Sequence, residues 1–271
     1  MLFICYYYLK YTPPQYESTA TVLIKDDSKG KRVDEISAFQ DLGIIGSKNN
    51  LENEIEILKS RSLMKRVIED LGINISFFVD REPIALELYS AAPIQILFAY
   101  GDTGYTSKSA YFTYKRLNDT EFEINVNGRT TKYVYGKMLN LGFGNFSVLQ
   151  SDPTNPYRNE LIHIQIQSLF NTAAGYSSKL KVEAVNSKSN VIRISLRDPV
   201  KSKAIAILNS LIRQYREDAI EDKNQVSINT SDFINERIKY ITAELSDVEN
   251  KAESYKTQFR SEEHTSELQS P

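Results

Sequence analysis

The sequence has very few residues of the types that build metal, thiol or redox centres. Its 271 residues include one cysteine, two histidines and no tryptophan. A zinc site needs about four ligands, mostly Cys or His, and the full inventory of those two types is Cys5, His163 and His264. With no second cysteine, Cys5 cannot form an intramolecular disulfide. We therefore expect no metal site and no cofactor.

A phosphate-binding loop and a surplus of positive charge are also missing. None of the 11 glycines belongs to a Gly-x4-Gly-Lys-Ser/Thr pattern, so the sequence has no ATP site of the Walker type. The 33 basic and 35 acidic residues give a net charge of −2, which leaves no basic excess for a nucleic-acid backbone. With 41% apolar and 25% charged residues, the chain has the composition of a folded protein that does not bind nucleic acid.

The first residues are apolar and rich in tyrosine. They are too few for a bilayer-spanning helix, which needs about 20, and they lack the basic start and cleavage site of a signal peptide. Tyr6, Tyr7, Tyr8, Lys10 and Tyr11 are residues typical of the membrane–water boundary. Two interpretations are open: the end of a transmembrane helix whose beginning is missing, or a buried N-terminal strand.

The last residues differ in character from the rest. Arg260–Ser270 has no apolar periodicity and matches, residue for residue, the translation of a common sequencing-library adapter. We therefore expect residues 260–271 to be a read-through artefact, with the natural chain continuing differently after Phe259.

Strand and helix patterns alternate along the first part of the chain. Tyr16–Lys25 is rich in β-branched residues and predicts a strand. From Asn50 the apolar spacing becomes helical and stops at Gly72, with Ser60-Arg-Ser62 as a possible division into two helices. Residues 74 to about 197 are mainly strands, and Asn127-Gly128 within them is a strong hairpin signal.

The last third of the sequence is helical. Asp198-Pro199 suits an N-cap followed by a proline in the first turn. One apolar stripe then comprises Ala204, Ile205, Leu208, Leu211, Ile212 and Tyr215. A second comprises Ile234, Ile238, Ile241, Leu245, Val248, Ala252 and Tyr255. Its alternating spacing of four and three is a heptad seam, which favours a coiled coil. An amphipathic helix packed on its own sheet is the alternative.

No residue is predicted to be catalytic, cofactor-binding or metal-binding. His163 alternates with buried-type isoleucines, which places it on the wet face of a strand. Glu52, Glu54 and Glu56 occupy alternate helix positions and cannot converge on one site.

A small basic patch comes from the last predicted hairpin and the residue before it. It comprises Lys179, Lys181, Arg193 and Arg197. It could meet an anionic polymer or lipid, or it could simply pair across strands with Glu183.

Three segments in order resemble the periplasmic domain of Wzz-type polysaccharide chain-length determinants, also called polysaccharide co-polymerases. The first, Tyr16–Ile24, is similar to the strand that follows the first transmembrane helix in that family. The second, Glu54–Leu71, is similar to its helical signature. The third, Ile192–Tyr215, is similar to the entry into its long helix.

The resemblance implies an α+β fold: a mixed or antiparallel sheet with packed helices, a β-rich insertion and a long C-terminal coiled-coil helix. The segments expected are residues 1–14 (membrane helix end and linker), 15–197 (periplasmic domain, with the insertion at about 80–160), 198–259 (helical arm) and 260–271 (artefactual tail). The large insertion resembles the branch of the family that is fused to a cytoplasmic tyrosine autokinase in exopolysaccharide export.

The function implied by this resemblance is regulation of the length or export of exopolysaccharide, capsule or O-antigen. The chain would sit at the inner membrane facing the periplasm, assemble as a ring of copies, and work beside the polymerase and its glycan chain. This segment would not be an enzyme, although the full-length parent could carry the kinase domain. Two alternatives are a periplasmic adaptor of an efflux or secretion system and a secreted sugar-processing enzyme.

Overall fold

A computed structural model describes residues 2–24, 51–101, 103–186 and 190–267. The chain divides into two units, residues 1–30 with 48–217 and residues 31–47 with 218–271. The helices are α1 (Leu2–Tyr11), α2 (Leu51–Lys59), α3 (Arg61–Leu71), α4 (Gly104–Ser107), α5 (Leu169–Lys179) and α6 (Lys201–Glu267). The strands are β1 (Tyr16–Leu23), β2 (Ile75–Val79), β3 (Leu86–Glu87), β4 (Ile94–Phe98), β5 (Ala110–Arg116), β6 (Glu121–Val126), β7 (Arg129–Val134), β8 (Met138–Asn140), β9 (Asn145–Gln150), β10 (Ile162–Ile166), β11 (Lys181–Ala184) and β12 (Val191–Asp198). The predicted α+β class is confirmed.

The first core of the larger unit lies under a three-stranded sheet of order β1-β12-β11. Both neighbours pair antiparallel with the central strand, so that Ile194 lies opposite Ala20 and Val182. The core combines apolar side chains from this sheet, from α2, α3 and α5, and from the first turns of α6. Its fully buried members include Leu58, Met64, Val67, Ile192, Ile194, Ile207 and Leu211.

Two of the local signals predicted for the α2–α3 region are confirmed. The break falls at Ser60, whose side chain accepts a hydrogen bond from the Leu63 backbone N–H at 3.3 Å and caps α3. Gly72 ends α3 in the left-handed conformation with φ 63°, which costs glycine little because it has no Cβ.

The second core lies between a six-stranded sheet of order β3-β2-β10-β5-β6-β7 and a three-stranded sheet of order β4-β9-β8. It is aromatic: Phe112, Tyr114, Phe122 and Phe146 are each at most 1% exposed. The strands span residues 75–166, close to the insertion expected at about 80–160. The predicted hairpin at Asn127-Gly128 joins β6 to β7, with φ 51° and 83° at the two turn residues.

The interior of the predicted strand region contains a helix that the sequence pattern did not indicate. α5 follows β10 directly and packs against α3, burying Leu169, Thr172 and Ala173. Ser168 caps it by accepting a hydrogen bond from the Asn171 N–H at 3.2 Å. The prediction that residues 74 to about 197 are mainly strands therefore missed this helix.

Replacing Ser168 by alanine should destabilise the protein by about 1 kcal/mol, because a helix N–H loses its acceptor at a largely buried cap. Urea unfolding followed by circular dichroism would measure the change. Ser178→Ala, at an exposed position of the same helix, is the matched control and should be close to neutral. Equal effects of the two substitutions would contradict the capping role.

The N-terminal residues 2–11 form the helix α1. Phe3, Ile4 and Leu9 are 70–80% exposed, so the interpretation as a buried N-terminal strand was wrong. Among the described helices, none has both the length and the apolarity that a bilayer span requires. The strand predicted at Tyr16–Lys25 is confirmed as β1, Tyr16–Leu23, and Lys25 lies outside the described residues.

The long helix α6 begins later than predicted. Asp198 ends β12, and the helix starts at Lys201, so Asp198-Pro199 does not supply the N-cap and first-turn proline. Instead, the Asp198 carboxylate accepts a hydrogen bond from the Val200 N–H at 2.8 Å. In the predicted stripe, Ala204, Leu208 and Leu211 are buried, whereas Ile205 is 43% exposed. Ile207, which was not part of that stripe, is buried instead.

The smaller unit is described only through the remainder of α6. Its backbone is helical as far as Glu267, and this range includes the first residues of the segment expected to be an artefact. The predicted long C-terminal helix is confirmed by this continuous element.

Candidate functional site

The heptad seam on α6 is the most conspicuous surface of the smaller unit. Its apolar side chains are all exposed, from 43% for Ile234 to 65% for Tyr255. The spacing assigns Ile238, Leu245 and Ala252 to position a of the heptad, and Ile234, Ile241, Val248 and Tyr255 to position d. Such a row gains stability only when a second helix covers it. The coiled coil itself stays a prediction.

Charged residues flank this seam. Arg237, Glu244 and Lys251 occupy successive g positions, alternating in sign, and g positions set partner choice through pairs between helices. Lys251 also pairs with Asp247 on its own helix at 2.7 Å. The seam therefore has an apolar centre and a charged edge.

The base of α6 is held by a buried cluster of charges. Lys203 Nζ contacts both carboxylate oxygens of Glu87 at 2.6 and 2.7 Å and Asp198 Oδ1 at 3.3 Å. The Tyr176 hydroxyl donates to Asp198 Oδ2 at 3.1 Å. Burial and the nearby Asp198 and Glu87 carboxylates raise the pKa of Tyr176 far above its ordinary value. This cluster, called the anchor cluster below, joins α6 to strand β3 of the six-stranded sheet.

Two further contacts fix the next turns of α6. Asp70 on α3 accepts hydrogen bonds from Ser210 at 2.8 Å and from Arg213. The Tyr215 hydroxyl donates to Glu54 on α2 at 2.7 Å. Glu54 thus contacts the base of α6, and the other two glutamates of this stretch, Glu52 and Glu56, are exposed.

His163 lies on the wet face of the six-stranded sheet, as its alternation with isoleucines predicted. Its Nδ1 is 2.6 Å from the Tyr111 hydroxyl, and its Nε2 is 3.0 Å from Asp80 Oδ2. This hydrogen-bonded row was not foreseen, because Asp80 and Tyr111 are distant in sequence. None of the three residues lines the pocket between Leu71, Phe77, Tyr89 and Leu97.

The two arginines of the predicted basic patch face different acidic residues. Arg193 lies directly opposite Glu183 in the register, the pairing weighed as the alternative to an anion surface. Arg197 pairs instead with Glu17 of β1 at 2.9 Å, a partner the sequence did not indicate. The hydrogen bonds and charge of Arg197 hold the pKa of Glu17 below its ordinary value. In the described residues, no group of His, Cys, Asp and Glu is arranged to hold a metal.

Two comparisons with known proteins agree with the resemblance drawn from the residues. The family described as "Wzz: Chain length determinant protein" has a sequence model that matches residues 1–71. A protein named "Tyrosine-protein kinase ptk" from Acinetobacter johnsonii is 22% identical over 284 aligned positions, covering 96% of this chain. The chain spans 38% of that relative's length. The predicted resemblance to Wzz-type chain-length determinants is thereby confirmed.

Proposed function

We propose that this chain is the periplasmic part of an inner-membrane polysaccharide co-polymerase, which assembles with copies of itself and regulates the length or export of a polysaccharide. The observation that carries the proposal is the exposed heptad seam, an apolar row that is stable in water only when another helix covers it. The family match over residues 1–71 and the kinase-named relative support the polysaccharide role.

The residues at positions a and d of the seam favour a particular number of helices in the assembly. Position d is occupied by the β-branched residues Ile234, Ile241 and Val248 and, in the last heptad, by Tyr255. Isoleucine at d combined with leucine or isoleucine at a disfavours a parallel dimer and favours three or four helices. An assembly of more than two copies fits this preference, as does a ring in which each arm meets neighbours on two sides.

The N-terminal helix supports placement at a membrane. Its exposed Phe3, Ile4 and Leu9 would be costly in water and suit an apolar environment, while Lys10 lies 5.7 Å from the Tyr11 ring at its end. An aromatic and cationic end of this kind suits the bilayer boundary. We propose that α1 is the membrane-side end of a longer spanning helix, followed by a periplasmic domain that begins at β1.

The parent protein is proposed to belong to the branch that carries a cytoplasmic tyrosine kinase. The support is the relative named as a tyrosine-protein kinase. This chain spans 38% of the length of that relative. In this proposal the segment described makes and breaks no bonds and acts by binding and assembly. Sequencing the parent gene beyond Phe259 would test it: the absence of a Walker-type loop downstream of a second membrane span would contradict kinase fusion.

The assembly role is tested by placing charge in the seam. Ile241→Asp with Leu245→Asp should abolish self-association of the purified chain, because buried carboxylates at a and d lose their hydration. Sedimentation equilibrium would show the mass falling to that of one chain. The same variant in the parent gene should shift the length distribution of the cell's polysaccharide.

Ser246→Asp with Asn250→Asp is the matched control, since it adds the same two charges at b and f positions of the same helix. It should retain the assembly and the length distribution. A wild-type chain that is monomeric at all concentrations, or a seam variant with an unchanged length distribution, would contradict the proposed function.

A further inference from the structure

A cluster of two arginines and one aspartate lies where the six-stranded and three-stranded sheets end together. Arg116 at the end of β5 donates through Nη2 to Asp119 Oδ1 at 2.5 Å, and Arg158 Nη2 donates to the same oxygen. Asp119 sits in the turn between β5 and β6 and is 74% exposed, whereas the two arginine side chains are only 15% and 27% exposed. Two largely buried cations thus converge on one exposed carboxylate.

The neighbours of this cluster are neutral and polar. Arg116 Nη1 donates to Asn159 Oδ1 at 3.1 Å, and Arg158 Nη2 to Gln150 Oε1 at 3.3 Å. Below them, the Tyr114 and Tyr135 hydroxyls are 2.5 Å apart. Burial raises the pKa of Tyr135, while the two arginines act in the opposite direction. Burial also raises the pKa of Tyr114, so both tyrosines stay neutral and the cluster carries one positive charge in excess.

The two arginines have more N–H donors than the described residues have acceptors for them. A guanidinium has five N–H donors in a rigid plane. Arg116 Nε is buried and has no hydrogen-bond partner among the described residues. An unsatisfied buried donor costs about 1–3 kcal/mol unless a ligand or water accepts from it. The geometry is thus that of an anion site with unused binding capacity.

Asp119 can leave this site without disturbing its own turn. The turn is fixed by the neighbouring Asn118, whose Oδ1 accepts from the Thr120 and Glu121 N–H groups at 2.8 Å each. The backbone oxygen of Asp119 is held separately by Gln150 Nε2 at 2.7 Å. Its side chain is therefore free to rotate into water while the backbone stays in place.

We propose that Arg116 and Arg158 form a binding site for the carboxylate of an acidic sugar unit in the glycan. In the absence of this ligand the Asp119 carboxylate fills the site, and the ligand displaces it. The chemistry of the ligand follows from its present occupant, because a sugar carboxylate has the same planar shape and charge as the Asp119 side chain. The choice of a sugar as the bearer of that carboxylate rests on the proposed function.

Titration of the full 271-residue chain with tetragalacturonate, followed by calorimetry, tests the site. The wild-type chain should bind this probe, and Asp119→Asn should bind it about tenfold more tightly, because the competing carboxylate is gone. Arg116→Lys and Arg158→Lys should each weaken binding by about tenfold, since lysine lacks the planar pair of donors. Maltotetraose, which is neutral, should not bind.

Several results would overturn the inference. These are an Asp119→Asn chain that binds no better than wild type, equal binding of maltotetraose, and full competition by sulfate at the affinity of the uronate. Should an arginine variant fail to fold, the Asp119→Asn comparison still decides, because that side chain is exposed. If the chain fails to bind uronate while the seam variant changes polysaccharide length, only this inference fails. If the seam variant has no effect while uronate binds, only the proposed function fails.

Discussion

Replacing Lys203 by methionine should lower the free energy of unfolding by about 3–5 kcal/mol, the cost typical of removing one partner from a buried ion pair. Lys203 is only 6% exposed, and it is the cation that contacts Glu87 and Asp198, themselves 13% and 1% exposed. Methionine fills much of the same volume but supplies no charge, so two buried carboxylates would face each other. Urea unfolding followed by circular dichroism measures the loss.

Two further variants separate the charge effect from packing. Glu87→Gln combined with Lys203→Met should recover part of the loss, because one of the two unpaired charges is removed as well. Lys59→Met is the matched control, since its pair with Glu56 is 40–77% exposed and such pairs are worth at most about 1 kcal/mol. A Lys203→Met chain as stable as the Lys59→Met chain would show that the anchor cluster does not hold the base of α6.

The anchor cluster also shows what sequence patterns could not predict. Lys203 and Glu87 are 116 positions apart, and neither has a local pattern that names a partner. The arginine cluster is similar, since Arg158 comes from a loop 39 positions after Asp119. Only the pairing of distant strands brings such residues together. The periodicity of residues within one helix or strand does not indicate which distant strand it will pair with.

Features with a local cause were predicted correctly. The Asn127-Gly128 turn follows from two residues that tolerate positive φ. The break at Ser60 follows from a capping side chain, and the buried Ile162, Ile164 and Ile166 follow from alternation along one strand. The seam on α6 was visible because its spacing repeats over three heptads.

The missed helix α5 shows where local pattern and tertiary packing disagree. Its sequence, Leu169–Lys179, contains glycine, two serines and a threonine, all weaker helix formers than alanine. The helix is stabilised by Leu169 and Ala173 packing into the first core, which outweighs the poor propensity. Ser168 as an N-cap was the one signal that could have indicated it.

Replacing Phe122 by alanine should destabilise the second core by about 3–5 kcal/mol, the cost typical of removing a buried phenylalanine ring. Phe122 is 0% exposed on β6. Its ring centroid lies 4.7 Å from that of Tyr135 and 5.5 Å from that of Tyr114. A cavity remains because close-packed surroundings relax only partly when a buried ring is removed. Phe170→Ala, which removes a ring that is 62% exposed, is the control and should cost little.

Hydrogen exchange in Phe122→Ala would show whether the two cores of the larger unit unfold separately or together. The buried side chains of the larger unit form two separate clusters, and we expect each to open without exposing the other. Hydrogen exchange in Phe122→Ala should therefore show lost protection in β5, β6 and β10, with protection retained in α3 and β12. Uniform loss across both cores would mean that the anchor cluster and the β10–α5 junction couple them into one folding unit. In that case the effect of Lys203→Met would also extend to the aromatic core.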